Sequence, residues 1–354
     1  MKDEARGVRL SRLGSLLGVL FLAACSSDGI EPLPTETAEV GVVLGSVDRS
    51  LTIFEVDNPT QTRIVGVGLD GSPVGMAVRG RLAAVPLGIV PAVAVVDLKD
   101  GILLRTVGLP QGSGATGAAF LNDSIVLAAN PDLNSVTPIN VLAGTRGSDI
   151  EVGRFPQAIV VEGGRAFVLN AELEGFNPDG PATVSVINIE SLTVTSTIQL
   201  SGENAAAGGV GPDGRLYIVN SGSFGAANGS LSVVDLTGLS EVEHHLGFGD
   251  GPGSLAFGPS ARVYIGSFSY GVTIWDTGLD AFILGPADAL APGGIPSTSG
   301  VGFDEAGRLY TLAPGFCDGP GTTNRHDGAY DVEITISVGI CPVAITFTTI
   351  EEEN

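Results

Sequence analysis

The segment Arg215-Leu216-Tyr217-Ile218-Val219-Asn220 is followed, across a loop at 220–230, by Val233-Val234-Asp235. Both pieces are short, β-branched and aromatic. Each stops on an amide or acid whose side chain bonds to nearby backbone amides in turns. They read as neighbouring strands, and both phrases recur along the chain. Copies of the first lie at 81–85, 125–130, 165–170, 262–267 and 308–313; copies of the second end at Glu55, Asp97, Asn140, Asn188 and Asp276. A further short apolar strand precedes each pair. It is introduced by a Val-Gly-like step and then Pro or a small residue: Val67-Gly68…Pro73, Val152-Gly153…Pro156, Leu246-Gly247…Pro252 and Val338-Gly339…Pro342, with Val107-Gly108…Ala115 a weaker copy. A fourth strand leads from each acid or amide to the next Val-Gly step.

Four strands in a repeat of roughly 40–50 residues is the arithmetic of a β-propeller blade. With the strands lettered A to D from the inside outward, inner strands start near Pro73, Ala115, Pro156, Ala205, Pro252, Pro296 and Pro342. That predicts seven blades; six or eight is the alternative count. The first repeat, 40–68, has no strand A, whereas the last inner strand, 342–347, is followed only by an acidic tail. The two gaps fit each other. The predicted fold is therefore all-β: a seven-bladed β-propeller of four-stranded antiparallel blades over 40–348, closed by the C-terminal strand completing the first blade, with an acidic tail at 349–354. Closure of this kind removes two exposed sheet edges.

Composition agrees. The chain has 354 residues, of which 44% are hydrophobic and 16% charged, enough for a sizeable core. Its 52 Gly and 21 Pro show no period, which excludes collagen. The net charge of −22 opposes contact with nucleic-acid phosphates, so no nucleic-acid partner is expected.

The repeats resemble the YVTN-type β-propeller family. The resemblance is clearest in Tyr217–Asn220 with Val233-Val234-Asp235, and in Phe167-Val168-Leu169-Asn170 with Val184-Ser185-Val186-Ile187-Asn188 and 193–200. It spans about 40–348. It implies the fold and leaves the role open, since such propellers host many functions.

The N-terminus carries an address. Lys2, Arg6, Arg9 and Arg12 precede an apolar stretch at 13–22, too short to span a membrane, which ends in Leu22-Ala23-Ala24-Cys25. This resembles a bacterial lipobox. The resemblance implies a signal peptide at 1–24, lipidation of Cys25, a tether at 25–39 and attachment to a membrane through the lipid anchor. An ordinary signal peptide with a chance Cys is the alternative. Ser26, rather than an Asp, points within the bacterial cell envelope to the outer membrane, facing the periplasm or the surface.

Two cysteines remain, in an oxidising compartment, so a Cys317–Cys341 disulfide is expected in the seventh blade. Free thiols, or a metal site using His326, are the alternatives. Counting back from Val338-Gly339 puts Asp327 at the third-strand turn; the strand before it, 322–326, is polar, and strand C is expected to be irregular or missing.

Long B–C loops, read at 130–135, 170–182, 220–230, 267–271 and 314–330, should gather on one face, where binding usually resides. Asn170, Glu172, Glu174, Asn177 and Asp179 form a polar cluster there; Phe224, Phe268, Tyr270 and Phe316 offer apolar surface; Asn324, Arg325, His326 and Asp327 form the most reactive stretch. The plainer alternative is that these are turn residues, with the Asn ending each strand B purely structural. No catalytic residue is assigned. His244 and His245 are adjacent on an outer strand and face opposite sides, and no nucleophile elbow, phosphate loop or zinc-protease motif is present. No cofactor is expected, apart from calcium considered at Asn177-Pro178-Asp179-Gly180. The expected function is a non-enzymatic binding or scaffold module that presents the loop face to a protein, glycan or small molecule. One alternative is a metal-dependent hydrolase, lactonase or lyase at the central channel, which would need a ring of acids, amides or histidines on inner strands that are mainly Gly, Ala, Val and Phe. Another is a structural subunit of an envelope complex.

Overall fold

Strands such as Ala92–Asp97 (AVAVVD) are buried along their whole length, as a strand must be when both faces of its sheet are covered. Strands such as Ile102–Gly108 and Thr193–Gln199 are exposed at most positions and form outer edges. This gradient sorts the strands into blades. The computed structural model describes residues 37–294 and 296–351; Cys25, the expected signal peptide and most of the expected tether lie outside them.

The described chain is a seven-bladed β-propeller. Blade 1 runs from Thr37–Gly45 through Ser50–Glu55 to Thr62–Gly66, with Pro342–Glu351 as its inner strand. Blade 2 comprises Ala77–Arg79, Leu82–Pro86, Ala92–Asp97 and Ile102–Gly108; blade 3 comprises Ala118–Phe120, Ile125–Asn130, Ser135–Asn140 and an outer strand in two pieces, Thr145–Arg146 and Ile150–Glu151. Pro138 explains that break: it has no N–H to give the outer strand, and its carbonyl instead accepts from Gly147 N–H at 2.8 Å. Blade 4 is Pro156–Glu162, Arg165–Asn170, Thr183–Asn188 and Thr193–Gln199; blade 5 is Ala205–Val210, Leu216–Asn220, Ser230–Asp235 and Ser240–Leu246. Blade 6 is Pro252–Gly258, Arg262–Ser267, Gly271–Asp276 and Ala281–Leu284; blade 7 is Val301–Phe303, Leu309–Ala313, Pro320–His326 and Val332–Ile340. Within each of the seven blades, neighbouring strands pair antiparallel. Among the described residues, no helix is long and apolar enough to cross a membrane.

Apolar cores lie between neighbouring blades. Leu44 and Leu51 of blade 1 pack with Val85, Ala94 and Val96 of blade 2; at the seam, Val43 and Phe54 of blade 1 pack with Tyr310, Leu312, Ile336 and Val338 of blade 7. The ring closes as the sequence predicts, by pairing of the first and last strands from Thr37↔Glu351 to Gly45↔Pro342. These strands outrun the expected limits: residues 37–39, read as tether, and 349–351, read as tail, are paired strand. The inner strands of blades 2, 3 and 7 start later than expected, at Ala77, Ala118 and Val301.

The seventh blade corrects one expectation. Its third strand is not missing: Pro320–His326 pairs with both neighbours, although its register against the outer strand shifts at Pro320/Thr322 and at Arg325/His326, so the expected irregularity is present. Asn324 and His326 are buried with hydrogen-bond partners, whereas the buried Thr323 hydroxyl has none. Thr335 Oγ1 donates to Asn324 Oδ1 at 2.9 Å, and His326 Nε2 lies 2.9 Å from Thr311 Oγ1.

The repeated strand-B Asn and some of the glycines that connect the blades share one physical cause. Asn130, Asn170 and Asn220, each ending a strand B, are fully buried. Each donates from Nδ2 to two hydroxyls on strand C: Ser135 and Thr137, Thr183 and Ser185, Ser230 and Ser232, at 2.8–3.1 Å. The D–A connection closes over this clamp. A Cβ on Gly153 or Gly202 would collide with the amide of Asn170 or Asn220, and one on Gly339 with Ser50 Oγ. Only glycine fits there.

Candidate binding face

Antiparallel order sends all B–C loops and D–A connections to one end of the ring, and all A–B and C–D turns to the other. Each of the seven B–C loops carries one exposed, large apolar side chain: Val47, Ile89, Leu133, Phe176, Phe224, Phe268 and Phe316. Four consecutive blades, 4 to 7, supply phenylalanine, at 92%, 96%, 55% and 96% exposure respectively. Scattered single apolar residues are ordinary on a protein surface; one at every loop tip of one face is not.

The tips are held by a polar frame. Phe176 caps a small hairpin, Leu173–Glu174 paired with Asn177–Pro178. Beneath it, Arg154 Nη2 donates to Asp179 Oδ2 at 2.8 Å and Arg154 Nε lies 3.7 Å from Glu172 Oε2. Glu172 also accepts from Thr183 Oγ1 at 2.7 Å. Asp250 joins the next two loops, accepting from Gly225 N–H at 2.7 Å and Ser269 Oγ at 3.0 Å. Tyr270 is no free contact residue: its hydroxyl donates to the Phe248 carbonyl at 2.5 Å, and burial pushes its ionisation upward.

The structure thus brings Glu172, Glu174, Asn177, Asp179, Phe224 and Phe316 to one face. It separates Asn170, which is buried in its clamp. It also separates Arg325, His326 and Asp327: placing them in a B–C loop at 314–330 fails, whereas the count that put 322–326 in strand C and Asp327 at its turn holds, and they end strand C of blade 7 at the opposite end of the ring. There, His326 Nδ1 donates to the Tyr330 carbonyl at 3.0 Å, and burial lowers the imidazole's affinity for a proton. Asp327 accepts from the Ala329 and Asp331 N–H groups at 2.8 and 2.9 Å. Arg325 Nε donates to Glu333 at 3.2 Å. These three residues shape a C–D turn. Sequence reading missed Phe176, Ile89, Leu133, Val47 and Arg154. An apolar residue beside Gly, Asn or Asp in every B–C loop but that of blade 6, where Phe268 stands between two serines, was the available signal.

The charge on this face is one-sided. Asp132, Glu174, Asp179, Glu203, Asp250 and Asp318 lie on its loops, whereas its arginines, Arg49 and Arg154, are turned onto the Val47 carbonyl and onto Glu172 and Asp179. The channel behind the face, about 480 Å³, is lined by neutral residues, among them Met76, Thr116, Gln157, Ile159 and Ala207. Gln157 Nε2 donates across to Asn204 Oδ1 at 2.9 Å. Such a lining offers shape and hydrogen bonds, and no side chain there titrates for acid–base work.

The Cys317–Cys341 disulfide forms, with Cα atoms 4.5 Å apart, and ties the B–C loop of blade 7 to the start of the closing strand. Beside it, the Cys341 carbonyl accepts from Ser46 N–H at 3.0 Å. The bond closes a loop with a sequence separation of 24, which corresponds to about 3 kcal/mol on a chain-entropy argument. Replacing both cysteines by serine should lower unfolding stability by about that amount, read as a lower urea midpoint with an m-value equal to or larger than that of the cross-linked chain.

The fold and site define a propeller with an apolar-tipped, acidic loop face. No protein-family description matches the sequence, and no curated protein sequence is similar to it. Among solved structures, a chain of Kuenenia stuttgartiensis hydrazine synthase superposes with a TM-score of 0.62 over 79% of this chain and 95% of its own, at 15% identity. The likeness is one of fold.

Proposed function

We propose that this protein is an exported, lipid-anchored propeller of YVTN type that acts as a non-enzymatic binding module, docking a partner protein on its loop face. The observation that carries this reading is the apolar residue at every B–C loop tip of one face. Burying a phenylalanine contributes roughly 1.5–3 kcal/mol, so four of them supply the largest favourable share of a contact, set against the entropy cost of association. The acids around them favour a partner surface that is basic as well as apolar. Thr37 and Glu351, the paired ends of the ring, lie at the face opposite the loops.

The test places a photo-crosslinking residue at position 224, at 316, or, as a control, at the exposed Leu279 on the opposite face, in the full chain in its native envelope. Discrete adducts are expected from 224 and 316, none from 279, and their loss in a Phe176→Ser background. Because Phe176 is exposed, that substitution should change stability by less than about 0.5 kcal/mol. Equal labelling from both faces, or none from the loops, overturns the reading.

A further inference from the structure

On the outer wall, away from the loop face, strand D of blade 5 carries Glu243 and His245, two residues apart and on the same side of the strand. The C–D turn of blade 6 brings Asp280 to them. Glu243 Oε2 lies 3.2 Å from His245 Nε2, Asp280 Oδ1 lies 3.9 Å from the same nitrogen, and the three donor atoms fall within 4.8 Å of one another. Ligand atoms around a tetrahedral zinc with bonds of 2.0–2.1 Å stand roughly 3.3 Å apart. The first pair already has this spacing, and Asp280, on an exposed turn, needs to move by at most about 1.5 Å.

Two of the three groups are fixed from behind. Arg215 Nη1 donates to Glu243 Oε1 at 2.7 Å, leaving Oε2 to face His245. The His245 ring rests against Trp275, with centroids 4.7 Å apart, and Trp275 is braced edge-on by Phe282 at 4.9 Å. Preorganised ligands held by second contacts are what a metal site requires. One imidazole with two carboxylates suits a divalent first-row metal such as zinc and disfavours calcium, which takes oxygen ligands.

We infer that Glu243, His245 and Asp280 bind one divalent transition-metal ion that clamps blade 5 to blade 6, with its remaining position open to water or to a partner's ligand. Trp275 is the only tryptophan in the chain, so its fluorescence reports on His245. The test titrates Zn²⁺ into chelator-stripped full-length protein near neutral pH, following Trp275 emission, calorimetric stoichiometry and thermal midpoint. Saturable binding of one equivalent with a raised midpoint is expected. Asp280→Asn, which keeps the turn's shape, should weaken it at least ~10-fold. His245→Gln should abolish it while circular dichroism stays native. Absence of saturable binding, binding indifferent to both substitutions, or equal displacement by Ca²⁺ overturns the inference. In the first case the triad is an ordinary hydrogen-bonded contact, in the last a general acidic surface.

Discussion

A chain ending at Cys341 is expected to lose the cooperative propeller fold. The missing strand, Pro342–Glu351, provides all the hydrogen bonding on the inner side of Thr37–Gly45. It also inserts Phe347 against Tyr310 and Phe54, with ring centroids 4.8 and 6.4 Å apart, and sends Ile345 into the same core. Each such side chain contributes up to roughly 1.5–3 kcal/mol, against a typical total stability of 5–15 kcal/mol. Its removal also uncovers two sheet edges that the ring otherwise conceals. Far-UV circular dichroism with urea titration decides the matter. A sharp transition near the full-length midpoint would show that blade 1 stands on three strands. Phe347→Ala supplies the graded version, at about 3 kcal/mol.

The second large effect is expected at Gly202. A single methyl there runs into the Asn220 amide and Ser230 Oγ, which are already bonded to each other at 3.1 Å, with Ser232 at 2.8 Å on the same Nδ2. Gly202→Ala must either displace the connection or break a fully buried amide clamp, at a cost of about 3 kcal/mol. Gly214→Ala is the comparison. Gly214 has φ +78° but open space around its Cβ direction, so its penalty is conformational alone, about 1 kcal/mol. Equal destabilisation of the two variants would mean that the clamp contributes nothing. By symmetry of the repeat, Gly153→Ala should behave as Gly202→Ala does.

The blade count and the closure were legible because they rest on local chemistry repeated in register. The Val-Gly step, the strand-B Asn and the strand-C acid each have a steric or hydrogen-bonding cause that recurs in several blades. The strand Pro320–His326 was only half legible, as 322–326, because hydrophobicity is a poor guide where Asn324 and His326 are buried through hydrogen bonds. Misreading it as loop carried Arg325, His326 and Asp327 to the wrong end of the ring. The loop face was half legible. Phe224 and Phe316 sit in long loops that invite notice, but Val47, Ile89 and Leu133 sit in short ones and matter only as members of a circle that the sequence does not draw. The Glu243–His245 spacing is local, whereas Asp280 reaches it only because successive blades lie side by side.

Because Thr37 faces Glu351 across an antiparallel pair, the two ends of the ring stand where every other blade places an ordinary A–B hairpin turn. The order of the blades along the gene is thus separable from their order in space. A short linker between 351 and 37, with the chain reopened in the loop at 222–228, would be a circular permutant with the same seven sheets. Its folding would begin and end in blade 5, and the seam now held by strand exchange and the disulfide would become one continuous blade.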